Sequence, residues 1–203
     1  MIALDDIRIF LPKYLSEEST INLFNQLNQF PLNIDSRFYS NIFSYQNNIL
    51  QGDGLDGMLL VNLPDMKIGE GKAIIISNSC DIDSSNPRLV ASSICYCPIF
   101  NLNKYEVMLK TKYPDLSGEK IPQHIQDIRA QRVSQIFFLP ALGKLKEDSF
   151  FFFDRICSYD STSIDRTSLG SKKIFTLSNY GFYLFLFKLS IHFTRIRESV
   201  DRI

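Results

Sequence analysis

The sequence predicts a mixed α+β chain: a small β-barrel or strongly bent sheet with helices packed outside it. Three observations lead there. Five or six short segments rich in β-branched and aromatic residues fall within residues 51–100 and 134–177, separated by Gly, Pro and Asp turns. Between these two blocks, residues 101–133 carry helical rather than alternating spacing. A long apolar segment at helical period, residues 178–200, comes last. At 203 residues the chain has the size of one domain, and 1–203 reads as one, without repeat, low-complexity stretch or linker.

Taken in order, residues 1–12 read as an extended lead-in ending at Leu11-Pro12. Ser16 is placed to cap a helix, with Glu17 and Glu18 in its electropositive first turn. Leu23, Leu27 and Phe30, with Phe24 beside them, make its apolar stripe, and Pro31 is expected to stop it. Residues 33–50 are polar and aromatic without a clear period and read as loop with some strand. Residues 51–57 are turn chemistry, residues 58–63 a strand, and Pro64-Asp65 with Gly69 to Gly71 a hairpin-like connection into a strand over 72–77. Ala73 to Ile76 form an uninterrupted apolar run, as in a strand covered on both faces, and it ends abruptly in Ser77-Asn78-Ser79-Cys80-Asp81. Polar groups at the end of a rigid strand are well placed to form a site.

Residues 89–100 read as a third strand, with Cys95, Cys97 and Ile99 on one face and Ile94, Tyr96 and Pro98 on the other. Two helices are expected over 102–110 and 122–132, the second with Ile121, Ile125 and Ile128 to one side. Residues 135–139 and the Phe-rich 149–157 read as strands, 158–171 as a Ser/Thr/Asp loop and 173–177 as a last short strand. Ser178 then caps the final helix, whose buried stripe is expected to be Phe182, Leu186, Leu189, Phe193 and Ile196, with Lys188, His192 and Arg195 on another side.

Composition narrows the function. Apolar residues make up 45% and charged residues 22%, as in a soluble globular protein, and 22 basic residues balance 22 acidic ones. Without a global basic field, any contact with nucleic acid must use a local patch. The start shows no signal-peptide pattern, and the longest apolar run, 181–193, contains Lys188 and His192 and is too short to span a bilayer. The expectation is a cytoplasmic protein, not a membrane one, with Cys80, Cys95, Cys97 and Cys157 reduced.

Two blocks in this order resemble the MazF/PemK group of ribonuclease toxins. The first is Gly52-Asp53, then Val61-Asn62-Leu63, then Gly71-Lys72-Ala73-Ile74-Ile75-Ile76-Ser77-Asn78; the second is Ser149-Phe150-Phe151-Phe152-Phe153-Asp154-Arg155-Ile156-Cys157, followed by Asp165-Arg166 and the helix from Ser178. The Ser-Asn-Ser-Cys-Asp run also resembles a group of uncharacterised bacterial proteins. The toxin resemblance covers about half the chain. It implies an SH3-like barrel, a metal-independent endoribonuclease of a toxin–antitoxin or phage-defence system, RNA as target, an antitoxin or defence-complex subunit as protein partner, and a homodimer. No cofactor is implied. Two departures stand against it. The toxins' catalytic Arg-Pro pair is Lys72-Ala73 here, and the chain is roughly twice the usual toxin length. Both open an alternative, that the fold serves as a non-catalytic protein-interaction module of a defence complex.

Metal-free RNA cleavage needs a base for the 2′-hydroxyl, a cation for the phosphorane charge and a donor for the leaving oxygen. On the resemblance, Lys72, Ser77 and Asp154 are the catalytic candidates. Asn78, Ser79, Cys80, Asp81, Arg155 and Arg166 are the substrate-binding ones. Cys80 is also readable as a thiolate nucleophile if His124 or His192 serves as its base, or as a small apolar group at a strand end. Cys80, Asp81, Asp83, Cys95 and Cys97 match no standard zinc spacing. Lys188, His192 and Arg195, with Arg197 and Arg202, form either a phosphate-facing patch or cations favoured near a helix C-terminus.

Overall fold

Two antiparallel sheets carry the fold in the computed structural model, which describes residues 16–42, 47–62, 64–86 and 88–194. The strands are β1 (Tyr39–Ser40), β2 (Gly54–Asn62), β3 (Lys67–Ile75), β4 (Ser93–Pro98), β5 (Phe100–Asn101), β6 (Ile136–Leu139), β7 (Ser149–Phe152), β8 (Cys157–Asp160) and β9 (Lys173–Leu177). One sheet has the order β1-β9-β2-β3-β4-β8 and the other β5-β7-β6. The helices are α1 (Glu17–Asn28), α2 (Ser79–Ile82), α3 (Leu102–Lys112), α4 (Lys120–Arg129), α5 (Leu169–Lys172) and α6 (Asn179–Thr194). The class is therefore α+β. The expected barrel is not closed: β1 and β8 stand at opposite ends of the six-stranded sheet and do not pair.

The larger sheet curls over a core of its own, built by Leu55, Met58, Ala73, Ile75, Ile94 and Tyr96 with Ile82 and Leu169. Curvature enters at a register shift in the β2–β3 ladder between Leu55 and Met58, where Gly57 adopts a left-handed φ of 70° that a side chain would strain. Beyond it, β2 bends toward β4 and β8. The Tyr96 hydroxyl donates to the Leu59 carbonyl, and Tyr159 Oη lies 3.7 Å from Met58 Sδ. Side chains, not a backbone ladder, bridge this seam.

β4 and β5, on either side of Ile99, pair with β8 and β7 in turn, so one bent ribbon joins the two sheets. The 149–157 segment is consequently two strands and not one, broken at residues 153–156. Its phenylalanines alternate. Phe151 and Phe153 enter a core with Phe38, Phe137, Ile174 and Tyr180, while Phe150 packs with Ile121, Ile125, Ile128 and Phe138 beneath α3 and α4, with Phe152 alongside. The three-stranded sheet is covered on both sides, which is why Ile136 to Leu139 are all buried.

Ser16 caps α1 by accepting from the Ser19 amide, and the helix ends at Asn28, before Pro31. Ser178 caps α6, with its hydroxyl accepting from the Gly181 amide. The face of α6 differs from the expected stripe: Tyr180, Gly181, Tyr183, Leu184, Phe185 and Lys188 are buried, while Phe193 is exposed. Close approach to the Ser36–Phe38 turn that precedes β1 sets this rotation, because a Cβ at Gly181 would collide with the Phe38 carbonyl. The 72–77 strand starts earlier than expected, at Lys67, so β2 and β3 form a longer hairpin arm. The 79–82 turn is helical, and the 89–100 strand begins at Ser93. The expected lead-in and the expected continuation of the final helix past Thr194, with Arg195, Ile196, Arg197 and Arg202, lie outside the described residues. No helix among the described residues is long and apolar enough to cross a membrane.

Candidate functional site

The candidate residues fall into two groups along the curled sheet. The first surrounds the end of β3. Ser77 Oγ accepts from the Cys95 amide at 2.7 Å, tying the strand end to β4. Asn78 caps α2 through Oδ1, which accepts from the Cys80 amide at 2.9 Å. Ser79 Oγ accepts from the Gln51 amide at 2.9 Å. The Cys80 carbonyl accepts from Asn86 Nδ2, and the Asp81 carbonyl from Ser92 Oγ. Asp81 pairs with Arg88 at 2.5 Å, an exposed bridge of small energetic weight. Arg166 reaches this group from the far side of the chain, donating to the Ile82 carbonyl at 2.6 Å. The structure thus brings Ser77, Asn78, Ser79, Cys80, Asp81 and Arg166 together. It also engages the side chains of all but Cys80 in the local architecture.

The second group lies further back. The Lys72 carbonyl accepts from the Ile99 amide, and its side chain shares the face of Ile74. Lys72 makes no side-chain hydrogen bond or ion pair among the described residues. Asp154 and Arg155 occupy the break between β7 and β8. Asp154 accepts from Gln135 Nε2 at 3.3 Å, and its charge contributes to holding the Cys97 thiol up at about 12, an effect due chiefly to burial. Arg155 stacks over Phe152 and Phe100, 4.9 and 5.3 Å from the ring centres. Lys72 and Ser77 are five extended residues apart, about 16 Å along the strand. Lys72 and Ser77 therefore stand well apart along the strand, and no hydrogen bond or ion pair among the described residues joins Asp154 to either of them.

Neither histidine touches Cys80. His124 contacts Tyr105 at 3.2 Å, and His192 stacks on Phe153. The base that a thiolate nucleophile requires is absent from its surroundings among the described residues. No group of three or more His, Cys, Asp or Glu among the described residues is arranged to hold a metal. The phosphate-patch reading of Lys188 is corrected: its ammonium is buried, donating to the carbonyls of Gln131, Val133 and Ile136 and to Gln131 Oε1.

Two polar arrangements were not read from the sequence. Asp53 and Lys173 form a fully buried pair at 3.0 Å, reinforced by the Leu50 amide on Asp53 Oδ2 and by the Asn48 carbonyl on Lys173. Burial pushes the Asp53 carboxyl up, and Lys173 opposes the shift. The signal was present in Gly52-Asp53, an acid directly before a strand, but its partner lies 120 residues on. The second is Gln131, which bonds both the amide and the carbonyl of Phe138 and so stands in for a neighbouring strand at the edge of β6.

Two recesses lie away from both groups. One, of about 550 Å³, lies along α4 between Glu119 and Asp127. The other, of about 350 Å³, opens at the seam beside the β2 bulge. No protein-family model matches this chain, and no curated protein sequence matches it.

Proposed function

We propose that this chain is a non-catalytic protein-interaction module built on a divergent, open SH3-like barrel, of the kind found in toxin–antitoxin or phage-defence assemblies. The observation that carries the proposal is the hairpin arm of β2 and β3. Val61 and Ile68 pair directly across it. Leu59, Val61, Met66 and Ile68 are each at least 41% exposed, a grouping of apolar surface more typical of contact faces than of an isolated monomer. The polar turn of residues 77–83 supports the same reading, since its side chains stabilise the turn rather than stand ready for proton transfer.

The endoribonuclease reading rests on the two-block resemblance, with Lys72 as its phosphate-binding cation. It has less support: the planar fork of an arginine is missing, and Ser77 and Asp154 each bond to other groups, Ser77 to the Cys95 amide and Asp154 to Gln135. Affinity purification from the native host tests the proposal. The chain is expected to recover a stoichiometric protein partner, a second copy of itself included. The Val61→Asp/Ile68→Asp variant is expected to lose that partner while keeping its melting temperature. A variant that still captures the partner would remove the arm from the account.

A further inference from the structure

The recess at the seam of the curled sheet deepens the interaction-module reading and rests on it. Its floor is core: Leu55, Met58 and Leu169 are each no more than 3% exposed. Its walls are the β2 bulge on one side and Tyr159 and the 163–172 segment on the other. Gly57 forms part of the wall, and a Cβ there would meet nothing within 4 Å, so the bulge leaves the mouth unobstructed. At about 350 Å³ the recess is near the lower end of the 300–1,000 Å³ range of ligand sites, the size for a side chain and its neighbour rather than for a dinucleotide.

The rim gives it a sign. Asp56, Glu70 and Asp165 face a single cation, Lys172. Glu70 has no hydrogen bond or ion pair among the described residues, and Asp56 bonds only the Gly57 amide. Asp165 accepts from the Thr167 hydroxyl and amide, and these donors, with Ser168, hold its carboxyl down at about 2, so it is ionised at any working pH. An apolar floor under a net-negative rim suits a long side chain with a hydrocarbon stem and a cationic head. We infer that this seam receives an arginine or lysine side chain, flanked by an apolar residue, from the module's protein partner.

Calorimetric titration of the full chain with two peptides, N-acetyl-Leu-Arg-Leu-amide and N-acetyl-Leu-Glu-Leu-amide, tests the inference. The arginine peptide is expected to bind at least about tenfold tighter than the glutamate one, with affinity falling as salt rises. The exposed double variant Asp56→Lys/Glu70→Lys is expected to lose about tenfold in arginine-peptide affinity at an unchanged melting temperature. In parallel, the amide resonances of Gly57 and Leu169 should shift on titration of the native chain. Equal binding of the two peptides, or an undiminished double variant, would overturn it. If a captured partner binds the double variant as well as the native chain, the seam fails and the module reading stands. If no partner is captured yet the arginine peptide binds selectively, the module reading fails and the cation-accepting seam stands.

Discussion

At the scale of single residues, Lys188 shows how far a side chain's role can depart from its position in a helical repeat. Its ammonium faces four oxygens from Gln131, Val133 and Ile136, and Phe137 lies 5.8 Å from it. No carboxylate among the described residues contributes, and burial pulls its proton affinity down to about 7. Replacing it with methionine leaves buried carbonyls without donors, and Lys188→Met is expected to cost about 3 kcal/mol in chemical denaturation at neutral pH. The pH dependence has a definite sign. The unfolded lysine keeps its proton up to its ordinary value of 10.5, while the folded one releases it from about 7 upward. The unfolded state thus binds more protons across that window, and the Lys188 contribution makes stability rise with pH between about 7 and 10.5. The slope should be absent in Lys188→Met; an identical pH profile in both proteins would show that the lysine is not buried as described.

Several residues were legible before any coordinates because their chemistry is local. Ser16 and Ser178 are caps, and a cap needs only its own next turn. The acids of the polar loops are equally local, although their turns were not assigned from the sequence: Asp83, Asp160 and Asp165 each accept from a Ser or Thr two residues on, which holds their carboxyls low. Asp53 with Lys173, and Gln131 with Lys188, were not legible, because each partner is brought in by the fold from far along the chain.

At the scale of elements, spacing found the segments better than it found their faces. The β4 alternation came through, with Cys97 and Ile99 on the Phe-rich core and Ile94 and Tyr96 on the curled-sheet core. The Ile121, Ile125 and Ile128 stripe of α4 did as well. The final helix did not. Apolar residues surround its first turns, so the period alone selects no face, and the contact with the Ser36–Phe38 turn decides. That decision rests on Gly181. Alanine there gains about 1 kcal/mol of helix propensity, but its methyl group would press on the Phe38 carbonyl and Cα. Gly181→Ala is therefore expected to be destabilising by about 2 kcal/mol, measured as a lower denaturation midpoint with an unchanged slope. A stabilised variant would contradict the helix placement. The break in the Phe-rich segment was equally out of reach, since the bend arises where one ribbon serves two sheets.

At the scale of the whole molecule, the α+β class was readable from strand number and order, and the closed barrel was not. Closure would require the outer strands β1 and β8 to pair, and they do not; at the seam, side chains of Tyr96 from β4 and of Cys157 and Tyr159 from β8 reach β2 instead. The central proposal is that the chain is a binding module, with the β2–β3 arm as its contact surface, and that the polar turn and Lys72 do not form a catalytic centre. Incubating the purified full chain with total cellular RNA, without metal, beside a Lys72→Ala control, tests that claim most directly. The account predicts RNA of unchanged length in both samples over hours. Cleavage by the native chain that is lost in Lys72→Ala would contradict it.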